Sequence, residues 1–380
     1  MSSISERAIQ RIVDNRNKKL SGGFNSIPFG LKRLEQFVPG VQRPNYTILT
    51  ANSGVGKTKV AKNMFVFRPY DFVKKHPEAN IKFTVLYFCL EEPDDAFMQS
   101  YICYKLYKQY GQRISIKELR SQLKPEDKTA VIDEVTLDRV NAMLPELKEF
   151  EHDVHLIRDV DKPYSIYKYC TDYLEDNAIG DWVMGPRKVW MPSEKRMVTK
   201  ISRDRYTYNH PDHYVLVVID HIGLIHPEKG QDLWEAIRTL SSRYLVNLRN
   251  IYGCSVLVLQ QQSSEKEKQQ YTFKGASIES KLEPSLDGLG NCKETQRDAD
   301  EVFGVFAPDR YEISDHRGYD ITQLRDNYRS FSILKSRDGE ANLRLGLFFD
   351  GAVNYIAELL PAKDMKKDEY EKVLKRVGRA

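Results

Sequence analysis

The residues best suited to chemistry lie in a glycine-rich segment, Ala51-Asn-Ser-Gly-Val-Gly-Lys-Thr58. The apolar run 46–50 before it predicts a buried strand, and residues 59–65 after it predict the start of a helix. A strand, a glycine-rich loop, Gly-Lys-Thr and a helix together make a P-loop, in which backbone N–H groups and a helix N-terminus surround a phosphate. Ala51 stands where the motif usually has its first glycine.

The residues of this loop have different expected tasks. The Lys57 ammonium can reach the β- and γ-phosphates of ATP, and the Thr58 hydroxyl can hold Mg²⁺. The other expected nucleotide-binding residues are their neighbours in the loop and at the helix start, namely Ser53, Gly54, Val55, Gly56 and Lys59. The sequence therefore predicts ATP and Mg²⁺ as cofactors.

Carboxylates that follow two other apolar runs fit the same chemistry. Residues 215–220 end in Asp220, which can hold the Mg²⁺ shell in the Walker B arrangement. Residues 85–90 precede Glu91 and Glu92, and one carboxylate that polarises a water is enough for hydrolysis of the γ-phosphate. We favour Glu91 as the catalytic base, although both glutamates could instead be charges at the start of the helix that follows.

Composition restricts the class of protein. The chain has 380 residues, 41% hydrophobic and 29% charged, and a formal net charge of +4, which is typical of a globular protein whose basic surface is only local. Its 5 cysteines are widely spaced without a CxxC pair, which indicates reduced thiols. We see no membrane-span-length apolar run and no signal peptide, so we expect a cytoplasmic protein without membrane binding.

Apolar runs alternate with helical patterns from Phe24 onwards. This alternation predicts an α/β fold with a mostly parallel sheet, helices on both faces and an antiparallel edge. The expected strands are residues 47–50, 83–90, 155–157, 214–220, 255–260, 301–306, 330–335 and 344–349. The main expected helices are residues 94–111, 124–149, 163–176 and 232–251.

The expected organisation has three parts. Residues 1–23 form an amphipathic linker helix and a glycine hinge, whose apolar stripe could pack on its own domain or on a neighbouring subunit. Residues 24–360 form the ATPase domain, with a basic, tryptophan-containing β-hairpin insertion at 178–212 that could be a nucleic-acid surface, a partner contact or a lineage-specific addition. Residues 361–380 form a charged tail, for which a solvated state is favoured over a helix.

Several segments, taken in order, resemble the DnaB-type replicative helicases, which have a RecA-like P-loop NTPase core. Glu91 after Phe88-Cys-Leu90 resembles the family's Ser-Leu-Glu motif, and residues 24–34 resemble the lead-in to its P-loop. Gln296-Arg-Asp-Ala-Asp-Glu-Val302 is similar to its Glu-Gln-Asp-Ala-Asp segment. The resemblance spans about residues 20–360.

Two more matching segments imply site residues. Residues 256–262 resemble the strand that ends in Ser-Gln, which implies that Gln261 senses the γ-phosphate. Lys335-Ser-Arg-Asp-Gly339 resembles the Lys-x-Arg-x-Gly motif, which implies that Lys335 and Arg337 reach the ATP of an adjacent subunit. From the residues alone, this turn could carry an arginine finger or be an exposed turn with solvated cations.

The resemblance implies a ring of six subunits that moves on single-stranded DNA and unwinds forked duplex DNA. ATP sites would lie between subunits, and a primase or a loader is a candidate partner. The resemblance, with a short helix before the core in place of the family's primase-binding domain, implies a phage or mobile-element origin and the cytoplasm of a bacterium or a phage-infected host. The DNA contact is expected in the loop 262–296, with Lys266, Lys268, Lys274, Lys281 and Lys293.

Two other classes of protein share many of these motifs. A RecA- or RadA-type recombinase or a KaiC-like regulatory ATPase uses ATP to set a filament or clock state, and a nucleotide-gated scaffold binds DNA without unwinding it. The Lys-x-Arg-x-Gly and Asp-Ala-Asp segments favour a helicase over the first class. Lys57, Glu91 and Asp220 together argue against an inactive scaffold.

Overall fold

The computed structural model describes residues 3–123, 126, 131–193, 195–263, 282–341 and 343–379. Its strands, numbered in chain order, are β1 Asn45–Ala51, β2 Lys82–Cys89, β3 Val154–Ile157, β4 Gly180–Met191, β5 Arg196–Tyr208, β6 His213–Asp220, β7 Ser255–Gln261, β8 Glu301–Phe306, β9 Asp315–His316, β10 Tyr319–Asp320, β11 Tyr328–Ser336, β12 Arg344–Asp350 and β13 Tyr355–Glu358.

The main sheet has the strand order β13-β12-β11-β8-β1-β7-β6-β2-β3 within these residues. Strands β1, β2, β3, β6, β7 and β8 are parallel to one another. Strands β11, β12 and β13 continue the sheet in antiparallel pairing. The predicted mostly parallel sheet with an antiparallel edge is therefore confirmed. Every strand expected for this sheet is present, and β13 is an addition that the sequence analysis missed.

The helices, also numbered in chain order, are α1 Ile4–Leu20, α2 Lys57–Ala61, α3 Arg68–Lys75, α4 Asp94–Tyr110, α5 Ile116–Leu119, α6 Glu134–Ala142, α7 Leu144–Asp153, α8 Pro163–Asp176, α9 Leu233–Thr239, α10 Val246–Asn250, α11 Thr295–Asp298, α12 Ile321–Leu324 and α13 Lys367–Lys375. Single π-helical turns, Lys62–Phe67 and Leu240–Leu245, join α2 to α3 and α9 to α10. None of the helices in the described part of the chain has the length and hydropathy needed to cross a membrane.

Helices cover both faces of the sheet and bury two apolar cores. Phe67 and Phe97 belong to the core on one face, and Ile166 and Leu240 belong to the core on the other. The strands between them are buried along nearly their whole length. Burial on both faces explains why these strands are continuous apolar runs in the sequence and why they were predictable from it.

The expected single helix 124–149 is wrong. The structure has two helices there, α6 and α7, which meet at Met143. Pro145 lies in the first turn of α7, where its missing N–H is tolerated, but it could not lie inside one continuous helix. Residues 131–133 are not helical, and positions 124, 125 and 127–130 lie outside the described residues.

The expected solvated C-terminal tail is also wrong. Helix α13 forms there, and its Tyr370 and Val373 are buried in a small core with Ile321 and Leu324. The Tyr370 hydroxyl accepts a hydrogen bond from the backbone N–H of Asp320 at 2.9 Å. Only two residues of this mostly charged helix are buried, so the sequence alone did not predict that it packs on the protein. Its burial depends on a surface that other parts of the chain form.

Helix α1 does not fold back on its own domain along its apolar stripe. None of its residues is buried, and Ile4, Ile9 and Ile12 are among the most exposed apolar residues. Its C-terminal end is tied to the body by an ion pair between Lys18 and Asp212. The sequence left open whether this apolar stripe packs on its own domain or on a neighbouring subunit. In the single chain it does not pack on its own domain.

Charged groups line the edge formed by the amino ends of the parallel strands. Arg249 and Arg337 both pair with Asp300, with N–O distances of 2.9 and 2.7 Å. Next to them, the buried Glu301 carboxylate accepts a hydrogen bond from Asn45 at 3.2 Å. Burial raises the pKa of Glu301 from its ordinary value of 4.5 to about 7, although the Asn45 hydrogen bond opposes the shift.

This raised pKa predicts a pH-dependent effect of Glu301→Gln. Between pH 4.5 and about 7 the folded state binds more protons at Glu301 than the unfolded state does, so the contribution of this group to stability falls as pH rises through that window. Gln is uncharged at every pH. We expect Glu301→Gln to raise the free energy of unfolding by about 1–3 kcal/mol at pH 8 and to change it little at pH 4.

Denaturant unfolding at the two pH values measures this difference. Asp300→Asn is the matched control on the same edge, and it should destabilise the protein because two arginines lose their carboxylate partner. If Glu301→Gln raises the free energy of unfolding as much at pH 4 as at pH 8, the effect cannot be assigned to a buried charge on Glu301.

Candidate active site

The carboxyl ends of the parallel strands gather four of the predicted site elements at one edge of the sheet. The loop 52–56 follows β1, and Gln261 ends β7. Asp220 ends β6, and Glu91 lies just beyond β2. Because these strands are neighbours in the order β1-β7-β6-β2, the four elements follow one another along the edge. This edge is where open α/β sheets bind ligands.

The P-loop backbone adopts conformations that require glycine, and residues of two antiparallel strands contact it. Gly54 and Gly56 have φ values of +70° and +96°, in the left-handed region that favours glycine. A Cβ on Gly56 would lie 2.7 Å from the Phe349 ring. The buried Arg329 donates from Nε to the carbonyl of Val55 at 2.7 Å. The loop is therefore held in its curled form by contacts from the antiparallel strands β11 and β12.

The two predicted Mg²⁺ ligands lie side by side. Thr58 Oγ1 donates to Asp220 Oδ1 at 3.2 Å, and the Tyr87 hydroxyl donates to Asp220 Oδ2 at 2.6 Å. Burial raises the pKa of Asp220 to about 6, although the Tyr87 hydrogen bond and the charge of Lys57 oppose it. A buried carboxylate next to a hydroxyl that follows a phosphate-binding loop fits Mg²⁺, which proteins hold by one or two such ligands together with substrate phosphates.

Lys57 begins helix α2 and lies close to both predicted acidic residues. Burial lowers the pKa of its ammonium, while Asp220 and Glu91 oppose the shift. The bound phosphates of a nucleotide would add negative charge here and so favour the protonated lysine. The electrostatics of this site are therefore those of a receptor for an anion.

Glu91 and Glu92 differ in what they contact. Glu92 pairs with the buried Lys62, which also lies over the Phe97 ring at 4.5 Å. The Glu91 side chain is 57% exposed, and its Oε2 is 4.0 Å from His221 Nε2. Glu91 is thus the more exposed of the two carboxylates and lies near His221 and Lys57, and its role as the base stays a prediction.

His221 is a site residue whose role the sequence analysis missed. Its Nδ1 accepts a hydrogen bond from the backbone N–H of Gly223 at 3.2 Å, so in the neutral ring the proton is on Nε2, towards Glu91. Burial, and after it the charge of Lys57, lowers the pKa of His221 to about 4. The signal available in the sequence was its position directly after Asp220.

Gln260 and Gln261 end β7 and Gln262 follows it, and the side chains of these three glutamines are used differently. Gln260 donates to backbone carbonyls of the loop that follows, and Gln262 donates to Thr50 Oγ1 at 2.9 Å. Gln261, which pairs in register with Ala51 at the P-loop, forms no side-chain hydrogen bond within the described residues. Its amide is therefore the one of the three that is available to a ligand.

Two basic residues near the P-loop differ from expectation. The Lys59 ammonium donates to the carbonyl of Gly351 at 2.6 Å, so its side chain is engaged away from the loop. Arg310, which the sequence analysis did not select, donates to the carbonyl of Ser53. A Cβ on Gly54 would lie 2.2 Å from Arg310 Nη1, so the guanidinium lies directly on the loop. Arg310 and Ser53 are far apart in the sequence, so no local sequence pattern predicts this contact.

Lys335 and Arg337 lie at the opposite edge of the sheet. Strand β11 is antiparallel to β8 and brings Ser336 beside Glu301, at the amino ends of the parallel strands. The seven-residue β1 separates that edge from the P-loop by about 20 Å. Lys335 Nζ donates to two backbone carbonyls at 2.6 and 2.7 Å, and Arg337 pairs with Asp300. Neither cation can reach a phosphate on the P-loop of its own chain.

The loop 262–296 meets the P-loop at both of its described parts. The backbone N–H of Gln262 donates to the carbonyl of Ala51 at 3.0 Å, and Asn52 Nδ2 donates to the carbonyl of Leu282 at 3.3 Å. Lys293 is exposed near this edge. The other expected DNA-contacting lysines, Lys266, Lys268, Lys274 and Lys281, lie outside the described residues.

No protein-family model and no curated protein matches the chain. Solved structures are similar to it. The ATPase domain of G40P aligns with 94% of this chain and 99% of its own, at a TM-score of 0.63 and 16% identity. A DnaB-like replicative helicase, solved in a study of its interactions with primase, aligns with 94% of this chain and 67% of its own, at a TM-score of 0.60 and 16% identity. The chain therefore has the RecA-like fold of the ATPase domains of DnaB-like helicases.

Proposed function

We propose that the chain is a motor that hydrolyses ATP, assembles into a ring of six subunits, moves on single-stranded DNA and unwinds forked duplex DNA. The observation that carries the proposal is the position of two sets of residues at opposite edges of one sheet. Lys57, Thr58 and Asp220 lie at the carboxyl edge, and Arg337 lies at the amino edge. One chain therefore contains the residues for both sides of the proposed ATP site, but they lie too far apart to act on the same nucleotide.

Each side chain at the carboxyl edge has a task in this proposal. Lys57 balances charge on the phosphates, and Thr58 with Asp220 holds Mg²⁺. When bound, Mg²⁺ supplies further positive charge to the phosphates. Glu91 takes the proton of the attacking water, with the Gln261 amide close to the γ-phosphate.

A neighbouring copy would supply the missing charge. The Arg337 side chain is 45% exposed, so exchanging its ion pair with Asp300 for a neighbour's phosphate costs only about 1 kcal/mol or less. An arginine placed in this way stabilises the charge of the transition state. The exposed apolar stripe of α1 supports assembly, because a second copy of the chain would bury it.

The DNA-binding part of the proposal rests on the loop 262–296. Asn52 of the P-loop is hydrogen-bonded to Leu282, and Gln262 is hydrogen-bonded to Ala51, so a shift of the P-loop on nucleotide binding would act on both described parts of that loop. A primase or a loader remains a proposed partner, and a cytoplasmic location remains a prediction.

The proposed activity is tested by measuring ATP hydrolysis with and without single-stranded DNA, together with strand separation of a forked duplex. Lys57→Ala is the blank. We expect single-stranded DNA to stimulate turnover and the fork to be separated in the presence of ATP. Turnover that does not respond to DNA would contradict the proposal and favour a regulatory ATPase.

The roles of the two neighbouring glutamates can be separated by substitution. We expect Glu91→Gln to lower ATP turnover by about 10²- to 10⁴-fold with little change in ATP affinity, because the base is lost while the phosphate contacts stay. Glu92→Gln is the matched control and should keep most of the turnover, since Glu92 pairs with Lys62 instead. Equal losses of turnover in the two variants would count against Glu91 as the base.

The arginine at the opposite edge makes a further prediction. We expect Arg337→Ala to lower ATP turnover by about 10³-fold or more while ATP affinity changes only slightly, because positive charge is lost from the transition state. Arg344→Ala, which removes an exposed arginine from β12, is the control and should leave turnover unchanged. Turnover assays and nucleotide-binding titrations measure both quantities, and normal turnover in Arg337→Ala would refute the shared site.

A further inference from the structure

Strands β4 and β5 form a two-stranded antiparallel ribbon outside the main sheet, within the hairpin insertion expected at 178–212. The half near the body is anchored. The Trp182 and Tyr206 rings pack on Tyr252, with centroids 5.2 and 5.4 Å apart, and Arg203 pairs with Glu175 at 3.1 Å. The other half, which we call the distal ribbon, consists of residues 186–191 and 196–201 and is largely exposed.

The distal ribbon and its turn concentrate positive charge. Residues 186–201 contain Arg187, Lys188, Lys195, Arg196 and Lys200, and Glu194 is the one acidic residue in this stretch of sequence. Arg187 and Lys200 are directly opposite each other in the strand register. Like charges at opposed positions destabilise an antiparallel pair, and neither of these two forms an ion pair with a described residue. The arrangement is suited to binding an anion.

The other face of the distal ribbon is apolar and exposed. Because side chains alternate between the faces of a strand, Trp190, Met197 and Ile201 share one face. Their exposed fractions are 54%, 54% and 66%. Lys188 is on the same face, about 7 Å along the strand from Trp190. An exposed aromatic ring with a nearby cation is the combination that binds a base by stacking and its phosphate by charge.

We propose that the distal ribbon is a second binding site for single-stranded nucleic acid, with Trp190 stacking on a base and Lys188 contacting a phosphate on one face, and with Arg187 and Lys200 contacting phosphates on the other face. The charge favours a polyanion over a second copy of this chain, which is itself net positive at +4. The tryptophan favours a single strand over a duplex, because the faces of unpaired bases are free to stack.

This site is separate from the ATP site and does not require ATP turnover. Strand β5 leads into β6 at His213, on the amino edge of the sheet. Asp220 is at the far end of the eight-residue β6, about 25 Å away. Binding at the distal ribbon can therefore be measured in the absence of nucleotide.

The stacking contact is tested by fluorescence anisotropy with labelled oligothymidylate and oligouridylate, using the full chain without nucleotide. We expect Trp190→Ala to weaken binding by about tenfold and Trp190→Phe to retain most of the affinity, because a phenyl ring still stacks. The two probes show whether DNA or RNA is preferred, and either preference supports the site. Unchanged affinity in Trp190→Ala would overturn the stacking role.

The phosphate contacts are tested with the triple variant Arg187→Gln, Lys188→Gln, Lys200→Gln. We expect weaker binding by about tenfold or more, and a salt dependence (the slope of log K against log salt) that is shallower by about 2, since each contact to a single strand contributes about 0.7. The matched control is Lys363→Gln, Lys366→Gln, Lys375→Gln, which removes the same charge from exposed positions near α13 and should change neither quantity.

Crosslinking a bromouracil-containing single strand and identifying the attached peptide gives a direct location. Attachment within residues 186–201 supports the proposal. Unchanged affinity for single strands in both the Trp190→Ala and triple variants would overturn it. An equal loss of affinity for a blunt duplex probe in these variants would also overturn it. So would variants that lose self-association but keep their affinity for single strands. ATP turnover without DNA should be normal in all these variants, so failure here is distinguishable from failure of the proposed function.

Discussion

The arrangement of the whole site depends on the direction of the parallel strands. Their carboxyl ends open into the loops that carry Lys57, Glu91 and Asp220, and their amino ends form the edge where Arg337 pairs with Asp300. The length of β1 keeps these edges about 20 Å apart, farther than any side chain can span. In the proposed motor this distance makes each chain incomplete, so that ATP hydrolysis requires a second copy and becomes a property of the assembly.

Burial shapes the electrostatics of the carboxyl edge. It lowers the pKa of Lys57 and raises that of Asp220, so each charge is held at some cost in the absence of ligand. A nucleotide with Mg²⁺ brings a counter-charge for each of them. Arg329 and the Phe349 ring hold the P-loop curled from below, so its N–H groups need little rearrangement to receive phosphate.

Much of this could be predicted from sequence, because doubly covered strands are continuous apolar runs and the P-loop has a local signature. Most errors occurred where structure depends on distant partners, as for helix α13, which is stabilised by a surface that the rest of the chain builds. The break between α6 and α7 is different, because Pro145 is a local signal that the sequence analysis did not use. Arg310 lies at the site through a long-range contact with Ser53 that no local pattern encodes, whereas His221 could have been found from its position directly after Asp220.

The central claim is that one ATP site is shared by two copies of the chain. It is tested most directly by forming mixed assemblies of Lys57→Ala and Arg337→Ala subunits, isolating them through a tag on one variant, and measuring ATP hydrolysis. An Arg337→Ala subunit keeps an intact P-loop, and a Lys57→Ala neighbour can supply an intact Arg337. The account predicts that mixed assemblies regain turnover well above that of either variant alone. Turnover no greater than that of the two separate variants would contradict it.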